Sequence, residues 1–486
     1  MPALERPLLL PHVELAPRTA RLAAETDVLV VGGGPAGIGA AMGAAQAGAE
    51  VILVERYGFF GGNATASLVM PLMSFHTQRP HAEKPGSATL LPGDHGPGDP
   101  VLAGVVGDFI ARLVAAGGAV SPSLKTGYVV PFDPETFKIV AMEMLDQAGV
   151  KFLFHSLASE VIGNGTLDGV VFETKSGPLV IRAKIVIDCT GDGDVAARAG
   201  VPFDVGREDD GLVQPVTLMF RMVEFERQAF EAYAREHPDQ WRGVHGLWDL
   251  IRHAKETGEL DLPREEALFF ATPHEREISV NMTRVPRTLG TDVWDLSYAE
   301  WECRRQLRQI VTFFRRYVPG FESAYVAQTG SIVGVRETRR FRGAYQLTAD
   351  DVLEARKFDD VIARSTYPVD IHNPTGPGTV LKRLPPGESY DIPLRCLIPQ
   401  QIDNLLIAGR CLSATHEALS SCRVMPVSMA TGQAAGVCGA LAARRAVAPA
   451  KVPVKQVQEE LTRQGASLGR RPAAAGKKTA SASKAD

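Results

Sequence analysis

The chain has 486 residues, which is too long for one small hydrophobic core and predicts two domains or one large intertwined pair. Apolar residues make up 45% and charged residues 22%, as in ordinary soluble globular proteins, and a net charge of −4 gives no electrostatic basis for binding nucleic acid or an anionic membrane. Six scattered cysteines without a C-x-x-C motif argue against a zinc site and against a thioredoxin-like redox pair.

Residues 1–24 are predicted to be a leader segment that packs on the surface or frays. The short apolar run from Leu8 to Leu10 follows two charged residues and is broken by Pro11, so it does not have the form of a secretory signal. A cytoplasmic, reducing location is therefore expected.

The stretch from Thr26 to Asn63 follows the order strand, tight turn, helix, strand, acid. Its elements are a strand at Val28 to Val31, the glycines Gly32, Gly34 and Gly37, a helix at Ala36 to Ala47, and a strand at Val51 to Val54. Gly48 is placed to end the helix. Glu55 follows the second strand and lies 21 residues after Gly34, close to the spacing of about 20 at which an acid binds a ribose hydroxyl pair.

Each part of this stretch suits a dinucleotide. Gly32 allows the turn out of the strand, Gly34 allows the backbone to approach a pyrophosphate, and Gly37 allows close packing of helix and sheet. The helix N-terminus offers free N–H groups to the phosphates. A membrane span is the alternative, because residues 28–49 carry no charge, but seven glycines and Pro35 in that window argue against it.

The next segment contains a predicted short helix at Ala64 to Met73 and a long loop. Residues 74–100 include five prolines and four glycines, which predicts a lid or binding loop. The loop holds His76, His81 and His95, which we interpret as solvated side chains because they lack helical metal-binding spacing.

Two helices and a run of strands follow. The predicted helices are Val105 to Ala116 and Pro134 to Gln147, the second with Asp133 as its N-cap. The predicted strands are Lys151 to His155, Gly169 to Thr174, Leu179 to Arg182 and Lys184 to Cys189. This run predicts a β-meander that returns to the parallel sheet.

Residues 191–196 formally match a second G-x-G-x-x-A motif. Asp192 and Asp194 would repel phosphates there, and no strand followed by an acid comes at the right distance. We therefore expect one dinucleotide site and no built-in NAD(P)H domain.

Later elements fall into two groups. Residues 205–395 are richer in charge and aromatics, with predicted strands at Thr217 to Val223 and Glu277 to Met282 and a helix at Tyr298 to Tyr317. After residue 395 the composition again resembles that of the first dinucleotide-binding stretch. The predicted elements there are an apolar strand at Asn404 to Ala408, a small-residue helix at Met425 to Leu441 and a helix at Val454 to Thr462.

Three blocks now carry a resemblance: VVGGGPAGIGAA with Glu55, IVIDCTGDGDVAARAG, and NLLIAGRCLSATHEALSSCRVMPVSMATGQAAG. The sequence resembles the FAD-dependent oxidoreductases of the glutathione-reductase-like superfamily, most of all a broad bacterial family of that description. It is more distantly similar to the flavoprotein subunits of fumarate reductase and succinate dehydrogenase. The resemblance covers most of residues 25–445 and does not specify a substrate.

The resemblance implies an α/β fold in which a Rossmann-like FAD-binding domain carries an inserted mixed α+β substrate domain. The expected divisions are the leader at 1–24, a discontinuous FAD-binding domain at 25–204 and 396–465, a substrate or cap domain at 205–395, and a disordered tail at 466–486.

The resemblance also implies a set of cofactor-binding residues. They are Gly32, Gly34, Pro35, Ala36, Gly37, Glu55, Arg56, Gly61, Gly62, Asn63, Gly191, Asp192, Gly409, Arg410, Arg423 and Val424. Many relatives have an acid that binds ribitol at the position of Arg410, so ribityl contact by this side chain is open. No histidine near Gly61 matches the covalent flavin attachment of succinate dehydrogenase, and non-covalent FAD is expected.

The candidate catalytic residues are His372, His416 and Arg336. His372 lies in a proline-framed turn and is the first choice for acid/base chemistry, and His416 follows Gly409 and is the second. Arg336 and Arg423 could bind a substrate carboxylate, and Arg336 could also form an internal pair with Glu337.

We expect a small polar substrate whose CH–OH or CH–NH group exchanges a hydride with flavin N5. A fumarate-reductase-like C=C reductase, the flavoprotein subunit of an electron-transfer complex, and a bare NAD-binding module are the alternatives. If oxygen is not the electron acceptor, an external partner is expected. No oligomeric state follows from the sequence.

Overall fold

The computed structural model describes residues 12–78, 90–91, 97–123, 126, 128–376 and 378–469. Its strands are β1 (Arg21–Val31), β2 (Val51–Val54), β3 (His76–Gln78), β4 (Pro97–Pro100), β5 (Lys151–Leu153), β6 (Leu157–Gly163), β7 (Leu167–Glu173), β8 (Leu179–Asp188), β9 (Phe203–Val205), β10 (Phe220–Val223), β11 (Trp241–Arg242), β12 (His245–Gly246), β13 (Ala267–Ala271), β14 (Glu277–Val280), β15 (Tyr325–Thr329), β16 (Arg339–Phe341), β17 (Val361–Ser365), β18 (Val369–His372), β19 (Thr379–Lys382), β20 (Tyr390–Pro393) and β21 (Leu405–Ile407).

Its helices are α1 (Pro35–Gln46), α2 (Val105–Ala115), α3 (Pro134–Gln147), α4 (Asp194–Arg198), α5 (Arg227–Glu236), α6 (Trp248–Glu256), α7 (Val293–Tyr317), α8 (Ala349–Leu353), α9 (His416–Cys422), α10 (Met425–Arg445) and α11 (Val454–Arg463).

The first sheet has the strand order β5-β2-β1-β8-β7-β6, with β21 also paired to β8. β1 runs parallel to both β2 and β8, and Val28 lies opposite Val51 on one side and Ile185 on the other. β1 occupies one edge of β8 along its length, and the other edge is shared by β7, at the first half of β8, and β21, at its end. The central apolar runs are fully buried, as expected for parallel strands covered on both faces.

Helices α1 and α10 pack against each other through glycines. A Cβ added at Gly39 or Gly43 would lie 2.0 or 2.3 Å from a backbone oxygen of α10, and one added at Gly432 or Gly436 would lie 2.0 Å from a backbone oxygen of α1. The two backbones therefore touch. This contact fixes α1, whose N-terminus follows the β1 turn.

The second sheet has the order β11-β12-β13-β14-β10-β15 and its pairs are antiparallel. One of its faces is covered by the buried side chains of α5, α6 and α7. Phe269 lies at the centre of this core, with its ring centroid 4.6 Å from that of Trp241 and 5.1 Å from that of Phe230.

The described residues also form four two-stranded sheets: β3-β4, β16-β9, β17-β20 and β18-β19. Apolar side chains of β17 and β20 belong to the same core as α1 and α10, not to the core of the second sheet. β1 begins at Arg21, within the predicted leader. The domain boundaries stay a prediction.

Two local predictions were wrong. The expected helix at Ala64 to Met73 is a short 3-10 turn followed by irregular chain, because Ala66 accepts hydrogen bonds from the distant segment at Ser331 and Leu68 has a φ of 55°. The strands expected at Leu179 to Arg182 and Lys184 to Cys189 form one continuous strand, β8.

Among the described residues, no single helix has the length and apolarity to cross a bilayer. Helices α9 and α10 meet that test only as a pair, which is bent by 93°.

Candidate active site

A cleft opens where β1, β2, β8 and β21 end and α1 begins; we call it the nucleotide cleft. Twelve of the predicted cofactor residues line it: Gly32, Gly34, Pro35, Ala36, Glu55, Arg56, Gly62, Asn63, Gly191, Gly409, Arg410 and Arg423. Four others, Gly37, Gly61, Asp192 and Val424, do not line it. Tyr57, Ser156 and Ser428 line it without having been predicted, since a single polar residue in a loop or a helix carries no local signal of a binding site.

The three motif glycines meet different constraints. Gly32 has a φ of +99°, and a Cβ there would lie 2.5 Å from the carbonyl oxygen of Cys189. A Cβ on Gly37 would lie 1.7 Å from the oxygen of Gly32, so Gly37 acts by close packing and not by lining the cleft. At Gly34 the nearest atom to such a Cβ is 3.7 Å away, which leaves the helix start open to a ligand.

Glu55 is 4% exposed at the end of β2. Its Oε2 accepts from the Gly33 N–H at 2.6 Å and its Oε1 accepts from the Tyr57 N–H at 2.9 Å. Burial raises the pKa of this carboxyl above its usual value despite the two N–H donors. Each oxygen keeps lone-pair capacity for a ribose hydroxyl.

The α1 N-terminus has no side-chain cap, and the three residues before the helix, 32–34, are all glycine. Free first-turn N–H groups, the open space at Gly34 and the buried carboxylate of Glu55 together fit the pyrophosphate and ribose of an adenine dinucleotide. The residues of the cleft thus fit FAD.

Arg410 follows Gly409, which has a φ of +83°. Its guanidinium donates to Asp192 Oδ1 at 2.8 Å and to Thr338 Oγ1 at 3.1 Å. Asp192 is therefore a partner of Arg410 behind the cleft wall.

Asp188, at the end of β8, was not predicted. It is fully buried and accepts from the Thr190 N–H, the Thr190 hydroxyl and the Ala196 N–H at 3.0, 2.7 and 2.9 Å. Burial raises its pKa to about 6. These bonds hold the turn that carries Gly191.

A second cavity adjoins the nucleotide cleft; we call it the adjoining cavity. Its empty space is about 2110 Å³, including the part open to solvent. Asn63, Arg410, Arg423 and Met425 line both spaces. A molecule in the adjoining cavity would therefore lie next to whatever occupies the cleft.

His372, at the end of β18, lines the adjoining cavity with its side chain 16% exposed. Its Nε2 lies 3.8 Å from Asp370 Oδ2 and its Nδ1 lies 3.4 Å from Thr379 Oγ1. Neither contact is a short hydrogen bond, so the ring nitrogens keep capacity for a ligand. Asp370 in turn accepts from the Tyr367 hydroxyl at 2.8 Å.

Positive charge surrounds this histidine. The pKa of His372 is held well below its usual value, and burial is the largest cause. The other causes are the positive charges of Arg336, Arg423, Arg264 and Arg284. The ring is consequently neutral at pH 7. Arg264 and Arg284 were not predicted, because a lone arginine in a loop has no sequence pattern that separates it from a surface residue.

Arg336 also lines the adjoining cavity. It donates to the Pro215 carbonyl at 2.6 Å and to Thr217 Oγ1 at 2.7 Å. The suggested internal pair with Glu337 was wrong, because the two side chains have different partners. Glu337 pairs instead with Arg340 and with His416.

His416 lines neither space. It is 4% exposed, its Nδ1 lies 2.8 Å from Glu337 Oε1, and its Nε2 has no partner among the described residues. This position suits a structural ion-pair cluster better than contact with a substrate. Of the predicted histidines in the long loop, His76 packs on Tyr128 with ring centroids 4.1 Å apart, and the other two lie outside the described residues.

The chain is similar to known proteins in sequence and in structure. It is 30% identical over 202 residues to the thiamine thiazole synthase of Methanococcus aeolicus, covering 39% of this chain and 63% of that protein. It is 37% identical over 91 residues to the urocanate reductase of Eggerthella lenta, covering 18% of this chain and 15% of that protein. The chain thus spans less than two thirds of either relative.

The solved structures include a geranylgeranyl bacteriochlorophyll reductase-like protein from Thermoplasma acidophilum, at 14% identity and a TM-score of 0.42 over 90% of this chain and 83% of that one. A flavin-dependent brominase has 12% identity and a TM-score of 0.43 over 91% and 84%. The family model described as FAD dependent oxidoreductase matches residues 27–461. The chain therefore belongs to the FAD-dependent oxidoreductase family and is a flavoenzyme whose cofactor is FAD.

Proposed function

We propose that this enzyme oxidises a CH–OH or CH–NH group of a small polar substrate held in the adjoining cavity. The observation that carries the proposal is the neutral, cavity-lining His372 in a space that shares four residues with the nucleotide cleft. Bound FAD supplies an acceptor for a hydride.

Oxidation of an alcohol or amine carbon removes a hydride from carbon and a proton from oxygen or nitrogen. His372 is neutral because of its burial and the surrounding arginines, so its ring can accept that proton. Once protonated, it lies 3.8 Å from the Asp370 carboxylate, which favours the charged ring. Arg336 and Arg423 orient the substrate by hydrogen bonds to an anionic group.

The direct test is anaerobic mixing of the holoenzyme with hydroxy acids, polyols and amines while the visible flavin absorbance is followed. Bleaching by a member of the panel supports the proposal. His372→Ala should slow this bleaching by about 10²–10⁴-fold while FAD stays bound. His253→Ala, an exposed histidine on α6, is the matched control. If His372→Ala bleaches at the normal rate, the catalytic assignment is wrong.

Reduction of a carbon–carbon double bond is the second candidate, and the local similarity to a urocanate reductase is the observation in its favour. No bleaching by any donor, together with reoxidation of the reduced enzyme by an enoate, would replace the first proposal by this one. Copurification of an iron–sulfur or other redox subunit would favour an electron-transfer complex instead.

A further inference from the structure

The adjoining cavity carries more positive than negative charge. Six arginines and two carboxylates line it. Arg410 is paired with Asp192 at 2.8 Å, and the carboxylate Glu266 lies 3.6 Å from His245. The other lining carboxylate, Asp370, is the neighbour of His372 described above. An excess of cationic side chains therefore faces the cavity.

Arg264 is the most deeply buried of these arginines, at 7% exposure. Its one hydrogen bond among the described residues is a 3.5 Å contact to Asn281 Oδ1, its Nε is buried without a partner, and it forms no ion pair within that part of the chain. Burial and the neighbouring Arg284 lower the pKa of Arg264 to about 10. It is still a cation at pH 7. Among the described residues the carboxylate of Glu266 partly offsets its charge, but Glu266 forms no ion pair with it and lies against His245 instead.

Arg336 and Arg423 make a second cationic position nearer the cleft. Arg423 lines both spaces, and its Nη2 donates to Gln214 Oε1 at 3.2 Å while its Nε is buried without a partner. Arg336 donates to a carbonyl and a hydroxyl, both neutral groups. Neither forms an ion pair among the described residues. Burial and the positive charge of Arg423 lower the pKa of Arg336 to about 9.

Buried guanidiniums without counter-charges are costly, and a bidentate carboxylate or phosphate relieves that cost. One anionic group at Arg336 and Arg423 would leave Arg264 uncompensated. Arg264 lines the adjoining cavity but not the nucleotide cleft, so the FAD phosphates are not its counter-charge.

We propose that the substrate is a dianion, with one anionic group bound by Arg336 and Arg423 beside the nucleotide cleft and a second bound by Arg264 within the adjoining cavity. The inference rests on the proposed function in one respect, since it takes the adjoining cavity as the substrate site. Small hydroxy- or amino-dicarboxylates and phosphorylated hydroxy acids share the required chemistry.

The test is a titration of the oxidised holoenzyme with unreactive acids, read from the perturbation of the flavin absorption spectrum. Malonate, succinate and glutarate are compared with propionate, butyrate and valerate, which match them in carbon number. Phosphoglycolate tests whether a phosphate serves as the second group. At least one dianion should bind tenfold or more tightly than its matched monoanion, because a charge-assisted pair is gained.

Arg264→Gln should remove this dianion advantage and leave monoanion affinity within about twofold, because Arg264 is assigned to the second group alone. Arg264→Lys keeps the charge but not the planar fork, and should keep only part of the advantage. Arg308→Gln, an exposed arginine on α7, removes the same charge elsewhere and should change nothing. Flavin content and melting temperature show whether each variant is folded.

Equal affinity for dianions and monoanions in the wild-type enzyme would overturn the inference. An undiminished dianion advantage in folded Arg264→Gln or Arg264→Lys would do so too. These binding results are independent of the reaction. Tight dianion binding without flavin bleaching by any donor would refute the proposed oxidation and leave the dianion site standing.

Discussion

Gly39→Ala tests whether the backbone contact of α1 with α10 sets the nucleotide cleft. The new Cβ would lie 2.0 Å from the carbonyl oxygen of Met429 and 3.0 Å from the N of Gln433. An ordinary contact needs 3.4 Å or more, so the helices must separate by roughly 1.4 Å or the backbone must deform. Overpacking of this kind costs about 1–3 kcal/mol and outweighs the gain of up to about 1 kcal/mol from replacing a helical glycine by alanine.

The separation also moves the α1 N-terminus, which begins four residues earlier at Pro35. FAD affinity should therefore fall together with stability. The assays are thermal unfolding of the holoenzyme and the dissociation constant of FAD measured by reconstitution of the apoenzyme. We expect a melting temperature several degrees lower and an FAD affinity at least about tenfold weaker, equivalent to about 1.4 kcal/mol.

Gly107→Ala is the matched control. Gly107 is an exposed glycine in α2, and a Cβ there would meet no atom within 4 Å. It should leave FAD affinity unchanged and raise stability by a few tenths to about 1 kcal/mol. If Gly39→Ala behaves like Gly107→Ala, the close backbone contact does not constrain the cleft and the reasoning fails.

Three further predictions concern charged groups. Between about pH 6.5 and 8 the second-order rate of flavin reduction should be level, because His372 is already neutral there. The rate should fall at lower pH as His372 becomes protonated. Arg264→Gln should move that fall to higher pH, because the variant removes one positive neighbour of His372; a stopped-flow pH profile measures both. Glu55→Ala should weaken FAD binding by about 10- to 100-fold, read by reconstitution, since two backbone N–H groups and the ribose lose a carboxylate. Asp188→Ala should lower the unfolding free energy by about 3 kcal/mol in urea, because one buried donor and two partly buried donors lose their acceptor.

The charges facing His372 that set its pH profile are those of Arg336, Arg423, Arg264, Arg284 and Asp370. A limb that stays in place, or moves to lower pH, in Arg264→Gln would contradict the effect of this arginine on the pKa of His372. Exposed carboxylates serve as controls for the other two variants: Glu143→Ala on α3 should keep normal FAD affinity, and Asp168→Ala on β7 should keep normal stability.

The helices and strands that were predicted correctly are mostly those whose signals lie within a short stretch of sequence. The start of α3 is one example: Asp133 was expected as its N-cap and accepts from the Thr136 N–H at 2.8 Å, and the helix spans Pro134–Gln147 as expected. The β1-α1-β2 unit is another, because its apolar runs and glycines are constraints within one short stretch.

Elements determined by distant contacts could not be predicted in this way. β6 (Leu157–Gly163) was missed because it is largely exposed and has no buried apolar run to mark it as a strand. The expected Ala64 to Met73 helix fails because the Ala66 carbonyl accepts hydrogen bonds from the N–H groups of the distant Ser331 and Ile332. No local propensity contains that information.

The same limit applies to the site. His372 and Arg336 were predicted singly and lie in one cavity, but their shared environment depends on Arg264 and Arg284, which come from a loop and from the chain after β14. His416 is the opposite case, a residue that was predicted to lie at the site and does not line it. Closeness in sequence to Gly409 did not bring it to the cleft, because α9 turns its side chain toward the buried Glu337.

The contact between helices α1 and α10 links the nucleotide cleft and the adjoining cavity. α1 directs its N-terminus at the nucleotide cleft, while the junction of α9 and α10 brings Arg423 and Met425 to the boundary of both spaces. Because α1 and α10 touch through backbone atoms, the position of the helix N-terminus and that of Arg423 are not independent. A substitution that separates the helices should therefore weaken FAD binding and anion binding together, whereas Arg264→Gln, remote from this contact, should weaken only the second.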